Sequence, residues 1–282
     1  KIPDREALLP CPASLAEVGE VVQREQLPDA VALTPTLSKP LLIHAAGGVG
    51  KTVFMESLAK ALDDRYEVMF FDCFGGGAYR SPEDVRHLPK RGLIHIANWL
   101  ACRGLCDPIL PSSDDLETLL KTFRRRLDQC VKTLSKVSPK KEILILLDAI
   151  DNAAEHARDR HEDSFPTQLL ESVQHAPVPG VTLIASSRSH RIPIKHISYH
   201  DFELRPFNPT ETATYLRARL PQVTEVELRV AQARSDGNPR ILEYLVNSGR
   251  GLLDPSEIDN KIELTNLIQE RLNRALSEAM KR

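Results

Sequence analysis

Leu41-Leu42-Ile43-His44-Ala45-Ala46-Gly47-Gly48-Val49-Gly50-Lys51-Thr52 is an apolar run that breaks into a glycine-rich loop and ends in Gly-Lys-Thr ahead of an amphipathic, helix-like segment. In a strand-loop-helix setting that spacing reads as a phosphate-binding P-loop. Gly47, Gly48 and Gly50 let the backbone curl so that successive N–H groups face a phosphate. Lys51 delivers a point charge to the β- and γ-phosphates, and Thr52 offers its hydroxyl to Mg2+. The contacting set is Gly47, Gly48, Val49, Gly50, Lys51, Thr52 and Val53, and the ligand class is a nucleoside triphosphate. The leading glycine usual in such loops is Ala45 here, a residue small enough to fit.

At 282 residues, 41% of them apolar, the chain can bury a substantial core as one large or two modest domains. Its net charge of −2 argues against a dedicated nucleic-acid surface. Lys1 opens a polar segment unlike a signal peptide, and no apolar run approaches the roughly 18 residues of a membrane span. The chain therefore reads as a cytoplasmic protein. Cys11, Cys73, Cys102, Cys106 and Cys130 lack paired C-x-x-C spacing and read as free thiols. The absent initiator methionine, and an end in what reads as mid-helix, suggest a fragment whose sensing or effector parts lie elsewhere.

The prolines at 3, 10, 12, 28 and 35 predict a largely irregular segment over 1–39, with at most a short helix around Leu15–Gln26. From there strands and helices alternate. Strands are expected at Leu41–His44, Glu67–Asp72, Ile143–Leu147, Val181–Ala185 and Phe202–Leu204, the middle ones continuous apolar runs of the kind buried on both faces of a parallel sheet. Helices are expected at Lys51–Leu62, Leu93–Cys102 and Asp115–Leu134, the last with an apolar stripe at helical spacing. The mixed-charge run 156–163 reads as a solvated connector. After the last strand only helices follow, at Pro209–Leu220, Glu225–Ala233, Pro239–Val246 and Glu263–Met280, which marks a second, all-helical domain. The expected boundaries are 1–39, 40–206 for the α/β domain and 207–282 for a smaller helical lid.

Glu142-Ile143-Leu144-Ile145-Leu146-Leu147-Asp148-Ala149-Ile150-Asp151 ends an apolar strand in one acid and adds another three residues on, as in a Walker B element. Asp148 is the candidate Mg2+ holder, alongside Thr52, and Asp151 the candidate that orients or deprotonates the attacking water. Asp151 can equally cap the helix that starts there. The next strand ends Ala185-Ser186-Ser187-Arg188, which puts a cation at the carboxyl edge of the sheet, where open α/β folds bind ligands. Arg188 is either a γ-phosphate sensor or a surface arginine paired with a nearby acid.

Taken together, Gly47-Gly48-Val49-Gly50-Lys51-Thr52, Asp148-Ala149-Ile150-Asp151, Ser186-Ser187-Arg188, Leu204-Arg205-Pro206-Phe207 and Gly237-Asn238-Pro239 resemble the STAND class of NTPases, near its NACHT and AP-ATPase branches. Within it, the loop Asp72-Cys73-Phe74-Gly75-Gly76-Gly77-Ala78-Tyr79-Arg80 followed by His87-Leu88 is similar to the bacterial antiviral AVAST (Avs) group. The resemblance implies a P-loop sheet of order 5-1-4-3-2 sandwiched by helices. It further implies ATP or ADP with Mg2+, slow hydrolysis, and self-association of the full-length protein after a trigger for which a phage protein is one candidate. It places Pro239 against the adenine, unless the turn at 237–239 serves only to cap a helix. Where a further Walker B acid is usual stands Asn152, which cannot act as a base. The Asp72–Arg80 loop either contacts the nucleotide region or a neighbouring protomer, or is a glycine-rich tip. The competing readings are a DNA-associated AAA+ ATPase of the Orc type and a nucleotide-binding scaffold without turnover.

Overall fold

In the computed structural model, which describes residues 8–13, 15, 21–76, 85–110 and 115–248, five parallel strands form one sheet. They are β1 (Leu41–Ala45), β2 (Tyr66–Asp72), β3 (Glu142–Asp148), β4 (Val181–Arg188) and β5 (His200–Glu203), ordered β2-β3-β4-β1-β5. Numbered from the other edge this is 5-1-4-3-2, the order the resemblance implies. Side chains alternate between the two faces. Ile143, Ile145 and Leu147 of β3 join one apolar cluster, while Leu144 and Leu146 join another with Leu41 and Ile43 of β1. A strand that must be apolar on both sides leaves polar residues only at its tip.

Helices α1 (Leu27–Leu33) and α2 (Lys51–Leu62) pack on the second cluster. Helices α3 (Pro89–Cys102), α4 (Leu116–Val137) and α6 (Phe165–His175) pack on the first, with α5 (Ile150–Asp159) following β3. In α4 the stripe Leu119, Phe123, Leu127, Cys130 and Leu134 is buried, and Asp115 caps the start by accepting from the Thr118 N–H at 2.9 Å. Each buried large side chain of that stripe contributes roughly 1.5–3 kcal/mol.

The structure corrects the expectation for 1–39. Of the segment expected to allow a short helix, 16–20 lie outside the described residues and 21–26 contain no helix; α1 follows, with Pro28 in its first turn, where a missing N–H costs nothing. Nor are residues 8–12 a loose approach. Cys11 is buried in the first cluster. Its N–H donates to His95 Nδ1 at 3.1 Å, while Asn98 Nδ2 donates to the Leu8 carbonyl at 2.9 Å and Arg86 Nη2 to the Pro12 carbonyl at 2.8 Å. The run 156–163 is corrected too: α5 continues to Asp159, and His156 packs edge-on against buried His87, 4.8 Å between ring centres. Burial, with His87 beside it, lowers the His156 pKa. The loop beyond Gly76 to Arg80 and the expected helix Glu263–Met280 lie outside the described residues.

The chain divides into two units, one running through Glu25–Leu204 and the other beginning at Arg205 and including Arg24. The second unit holds α7 (Pro209–Arg219), α8 (Glu225–Ser235) and α9 (Pro239–Asn247) around Phe207, Leu216, Ala231, Leu242 and Leu245. Asn208 with Glu211 and Thr224 with Glu227 form capping boxes that satisfy the first N–H groups of α7 and α8. Within this unit Arg24 pairs with Glu211 at 3.2 Å and lies 4.7 Å over the Phe207 ring.

Candidate nucleotide-binding site

After β1 the chain turns through Gly48 (φ 81°) and Gly50 (φ 93°), left-handed conformations that glycine adopts without the penalty a Cβ brings. Gly50 immediately precedes α2, so the orphan N–H groups and positive dipole end of that helix face the loop. Gly47 differs from the expectation. It is not left-handed, and a Cβ on it would meet nothing within 4 Å. The curl is therefore carried by Gly48 and Gly50, and the bare Gly47 leaves the face of the loop open. Lys51 Nζ lies back across the loop, donating to the Ala45 and Ala46 carbonyls at 3.1 and 3.0 Å.

The tip of β3 stands beside this loop. Asp148 is 1% exposed, and its carboxylate accepts from Thr52 Oγ1 at 2.7 Å and from Ser186 Oγ of β4. Ser186 Oγ in turn accepts from the Ala149 N–H at 2.8 Å. Burial raises the Asp148 pKa; the two hydroxyl hydrogen bonds offset this in part. The chain then turns through Ala149 in the left-handed region (φ 57°), a conformation that costs a non-glycine residue roughly 1–2 kcal/mol.

That turn sets Asp151 in the first turn of α5, behind Ala149, which caps with no side chain. The cap alternative for Asp151 is thereby replaced by another contact. Its Oδ1 accepts from the Arg188 N–H at 3.3 Å, and Oδ2 lies 3.4 Å from Arg188 Nε, an ion-pair distance without hydrogen-bond alignment. Burial raises the Asp151 pKa against the opposing pull of Arg188. Arg188 is thus paired with Asp151, the second acid of the Asp148-Ala149-Ile150-Asp151 run, at the carboxyl edge of the sheet. Asn152 is buried next to it, its Oδ1 without a hydrogen-bond partner.

Asp72 at the tip of β2 is the register partner of Asp148. Its Oδ1 accepts from the N–H groups of Phe74 and Gly75 at 2.8 and 2.9 Å, which shapes the described start of the glycine loop. The Cys73 thiol is pushed up first by burial and then by Asp148, Asp72 and Asp151, with Arg86 opposing. Sequence reading missed Glu56, one turn after Thr52 on α2, whose pKa is raised by burial and also by Asp148; the four-residue spacing from Thr52 was the available signal. Thr52 and Asp148, whose oxygens lie 2.7 Å apart, supply hard donors that suit Mg2+, an ion that takes one or two protein ligands beside phosphate and water. The residues present fit the ion.

Pro239 is the first residue of α9, behind Asn238, whose side chain accepts from the Arg240 N–H at 3.0 Å. The helix-start reading of the Gly237-Asn238-Pro239 turn therefore has a complete local account.

A NACHT domain model matches residues 39–222. Among solved structures, a Walker-type ATPase of Pyrococcus abyssi superposes with a TM-score of 0.55 at 17% identity, covering 93% of this chain and 77% of that one. A STAND protein with a tetratricopeptide repeat sensor from Pyrococcus horikoshii superposes with a TM-score of 0.53 at 16% identity, over 83% of this chain. The chain spans only 31% of that protein's length. At such identities the likeness is one of fold. No curated protein matches the chain. No described helix is long and apolar enough to cross a membrane. With the family model covering well over half of the sequence, and a P-loop and Walker B tip on a 5-1-4-3-2 sheet, the chain belongs to the NACHT family of the STAND-class P-loop NTPases.

Proposed function

We propose that the chain is the nucleotide switch of a STAND-type signalling ATPase, binding ATP with Mg2+ at the carboxyl edge of the sheet and hydrolysing it slowly. The observation that carries this reading is the set Lys51, Thr52, Asp148, Asp151 and Arg188, brought to neighbouring strand tips by β1, β3 and β4. Lys51 exchanges its two loop carbonyls for the β- and γ-phosphates. Thr52 and Asp148 hold Mg2+, which when bound neutralises charge developing on the phosphates. The γ-phosphate competes for Arg188, which releases Asp151 toward the attacking water; an acid with a raised pKa is the better proton acceptor once ionised. Asn152 contributes no base, which keeps turnover slow.

In the full-length protein, nucleotide state and a trigger together set a switching equilibrium that ends in self-association. The trigger's identity, with a phage protein as one candidate, an antiviral role of the Avs kind and a cytoplasmic setting belong to this proposal, as does Pro239 against the base. Buried Asn152 favours one alternative, a nucleotide-binding scaffold without turnover.

Two variants test the reading. Lys51→Ala should weaken Mg-ATP binding at least tenfold in calorimetry, the loss expected for a charge-assisted contact of roughly 1.5–3 kcal/mol. Asp151→Asn should keep that affinity and slow single-turnover phosphate release by about 100-fold or more. Unchanged affinity in folded Lys51→Ala removes the P-loop assignment. A wild-type chain that binds ATP and releases no phosphate establishes the scaffold.

A further inference from the structure

We infer that Arg86 is a positioning residue for the metal-holding tip of β3, and that it ties this tip to the N-terminal segment at residues 8–12. The inference rests on the proposed role of Asp148 and adds to it a route by which the start of the chain acts on that residue.

Arg86 is 5% exposed, so its guanidinium must spend its donors on protein acceptors. Nη1 donates to the Asp72 carbonyl at 3.1 Å and Nη2 to the Pro12 carbonyl at 2.8 Å. The Asp72 carbonyl shares one rigid peptide plane with the Cys73 N–H. That N–H donates to the Asp148 carbonyl at 3.0 Å, just past the last register pair of β2 and β3. A rotation of this plane that breaks the bond to Arg86 also turns the donor away from Asp148. The Asp72 carboxylate is already engaged with Phe74 and Gly75, so it is the backbone of this turn that Arg86 holds.

At its other end Arg86 holds a segment fixed by side chains instead of by a ladder. Pro12 has no N–H, and its carbonyl is its one polar backbone group. His95 and Asn98 of α3 take the backbone of Cys11 and Leu8, and the Cys11 side chain is the apolar anchor. Three hydrogen bonds thus run from Pro12 to Arg86, across the 72–73 peptide, to Asp148. Lifting the segment leaves the buried guanidinium short of an acceptor, and its cheapest remedy is to move, which tilts the 72–73 plane. Pulling on residues 8–12 therefore loosens the metal-holding tip, and by reciprocity occupation of that tip tightens the segment.

The test titrates Mg2+ into the chain with a fluorescent ATP analogue. Arg86→Lys keeps the charge but replaces the planar fork, whose Nη1 and Nη2 each reach one carbonyl, with a single point ammonium that cannot occupy both positions, and should raise the Mg2+ needed for half-saturation about tenfold, the usual scale for a residue behind a metal ligand. Metal-free analogue affinity should stay unchanged. Cys11→Asp, which ejects the segment by placing a carboxylate in the core, should shift the Mg2+ requirement the same way, and the double variant should add nothing. In the unmutated chain, maleimide labelling of Cys11, read by mass spectrometry, should be slower with analogue and Mg2+ than with analogue and chelator. Asp148→Asn is the control. If it leaves the Mg2+ requirement unchanged, both the metal assignment and this inference fall. If it raises the requirement while Arg86→Lys and Cys11→Asp change nothing, or if Cys11 labels equally fast in both states, the inference alone is overturned.

Discussion

The turn before α9 and the tip of β3 both carry motif residues, and they differ in what the fold itself needs. At the turn, Gly237 is left-handed (φ 70°), a Cβ there would lie 2.0 Å from the Phe207 carbonyl oxygen, and the Phe207 N–H donates to the Gly237 carbonyl at 2.7 Å. Asn238 caps α9, and Pro239 occupies its first position. Each residue has a local structural reason. At the tip of β3 the relation is reversed. Asp148 is a carboxylate walled in by strands, its pKa raised by burial, and Ala149 accepts a left-handed backbone without being glycine. Neither feature helps the sheet to form. A motif residue that the fold requires is weak evidence for a ligand, whereas one that the fold carries at a cost points to chemistry.

The largest expected effect lies on the structural side. Gly237→Ala combines a left-handed alanine with a clash against backbone, and should cost roughly 2–5 kcal/mol of stability. Urea unfolding would measure it. A loss under about 0.5 kcal/mol, the range of a neutral surface change, would show that the turn adapts, and would return Gly237-Asn238-Pro239 to the list of residues whose purpose is a ligand.

A smaller effect, of opposite sign, is expected at β3. Asp148→Asn should stabilise the chain at neutral pH, because burial penalises the charged carboxylate more than its two hydroxyl partners compensate, and a neutral amide avoids that penalty. The folded pKa lies above the ordinary value of 3.8, so the native state binds this proton more tightly than the unfolded chain. Stability is therefore fully present below the ordinary value and is lost as the pH rises through the folded one. The advantage of the asparagine variant should grow over that window and narrow on acidification. A gap independent of pH would mean that the Asp148 pKa is the same in the folded and unfolded chain, so that the fold carries this carboxylate at no cost and the contrast with the turn at Gly237 fails.

Most of the sheet was legible because its signals are local. Two-sided burial forces continuous apolar runs, and the glycine spacing of the loop is set by backbone geometry. The beginning of the chain was misread for a reason equally physical: prolines were counted as breakers, although Pro28 begins a helix and Pro12 presents a carbonyl to Arg86. Partners far apart in sequence were invisible as well. Nothing near Arg86 or Arg24 announces Pro12, Asp72 or Glu211, since a lone arginine in an irregular stretch has no periodicity to read. At the site, spacing placed Asp151 in the first turn of α5 but could not say that its carboxylate faces Arg188, a contact made by the crossing of β4.

Gly47→Ala is the smallest change and the sharpest test of the contrast, because Gly47 lies inside a motif yet is not needed by the backbone. It is not left-handed, and its Cβ would enter open space. Stability should stay within about 0.5 kcal/mol of the unmutated chain, or rise slightly as the unfolded state loses glycine freedom. If the open face of the loop is where phosphate approaches the backbone, the added methyl should still weaken triphosphate binding several-fold, the consequence of displacing one hydrogen bond of about 1 kcal/mol. Calorimetry with Mg-ATP alongside thermal unfolding separates the outcomes. Weaker binding at unchanged stability marks Gly47 as a residue kept for the ligand. Unchanged binding moves the phosphate away from Gly47 and onto the Gly48 and Gly50 side of the loop, while a loss of stability shows that the loop needs the glycine for itself and places it with Gly237.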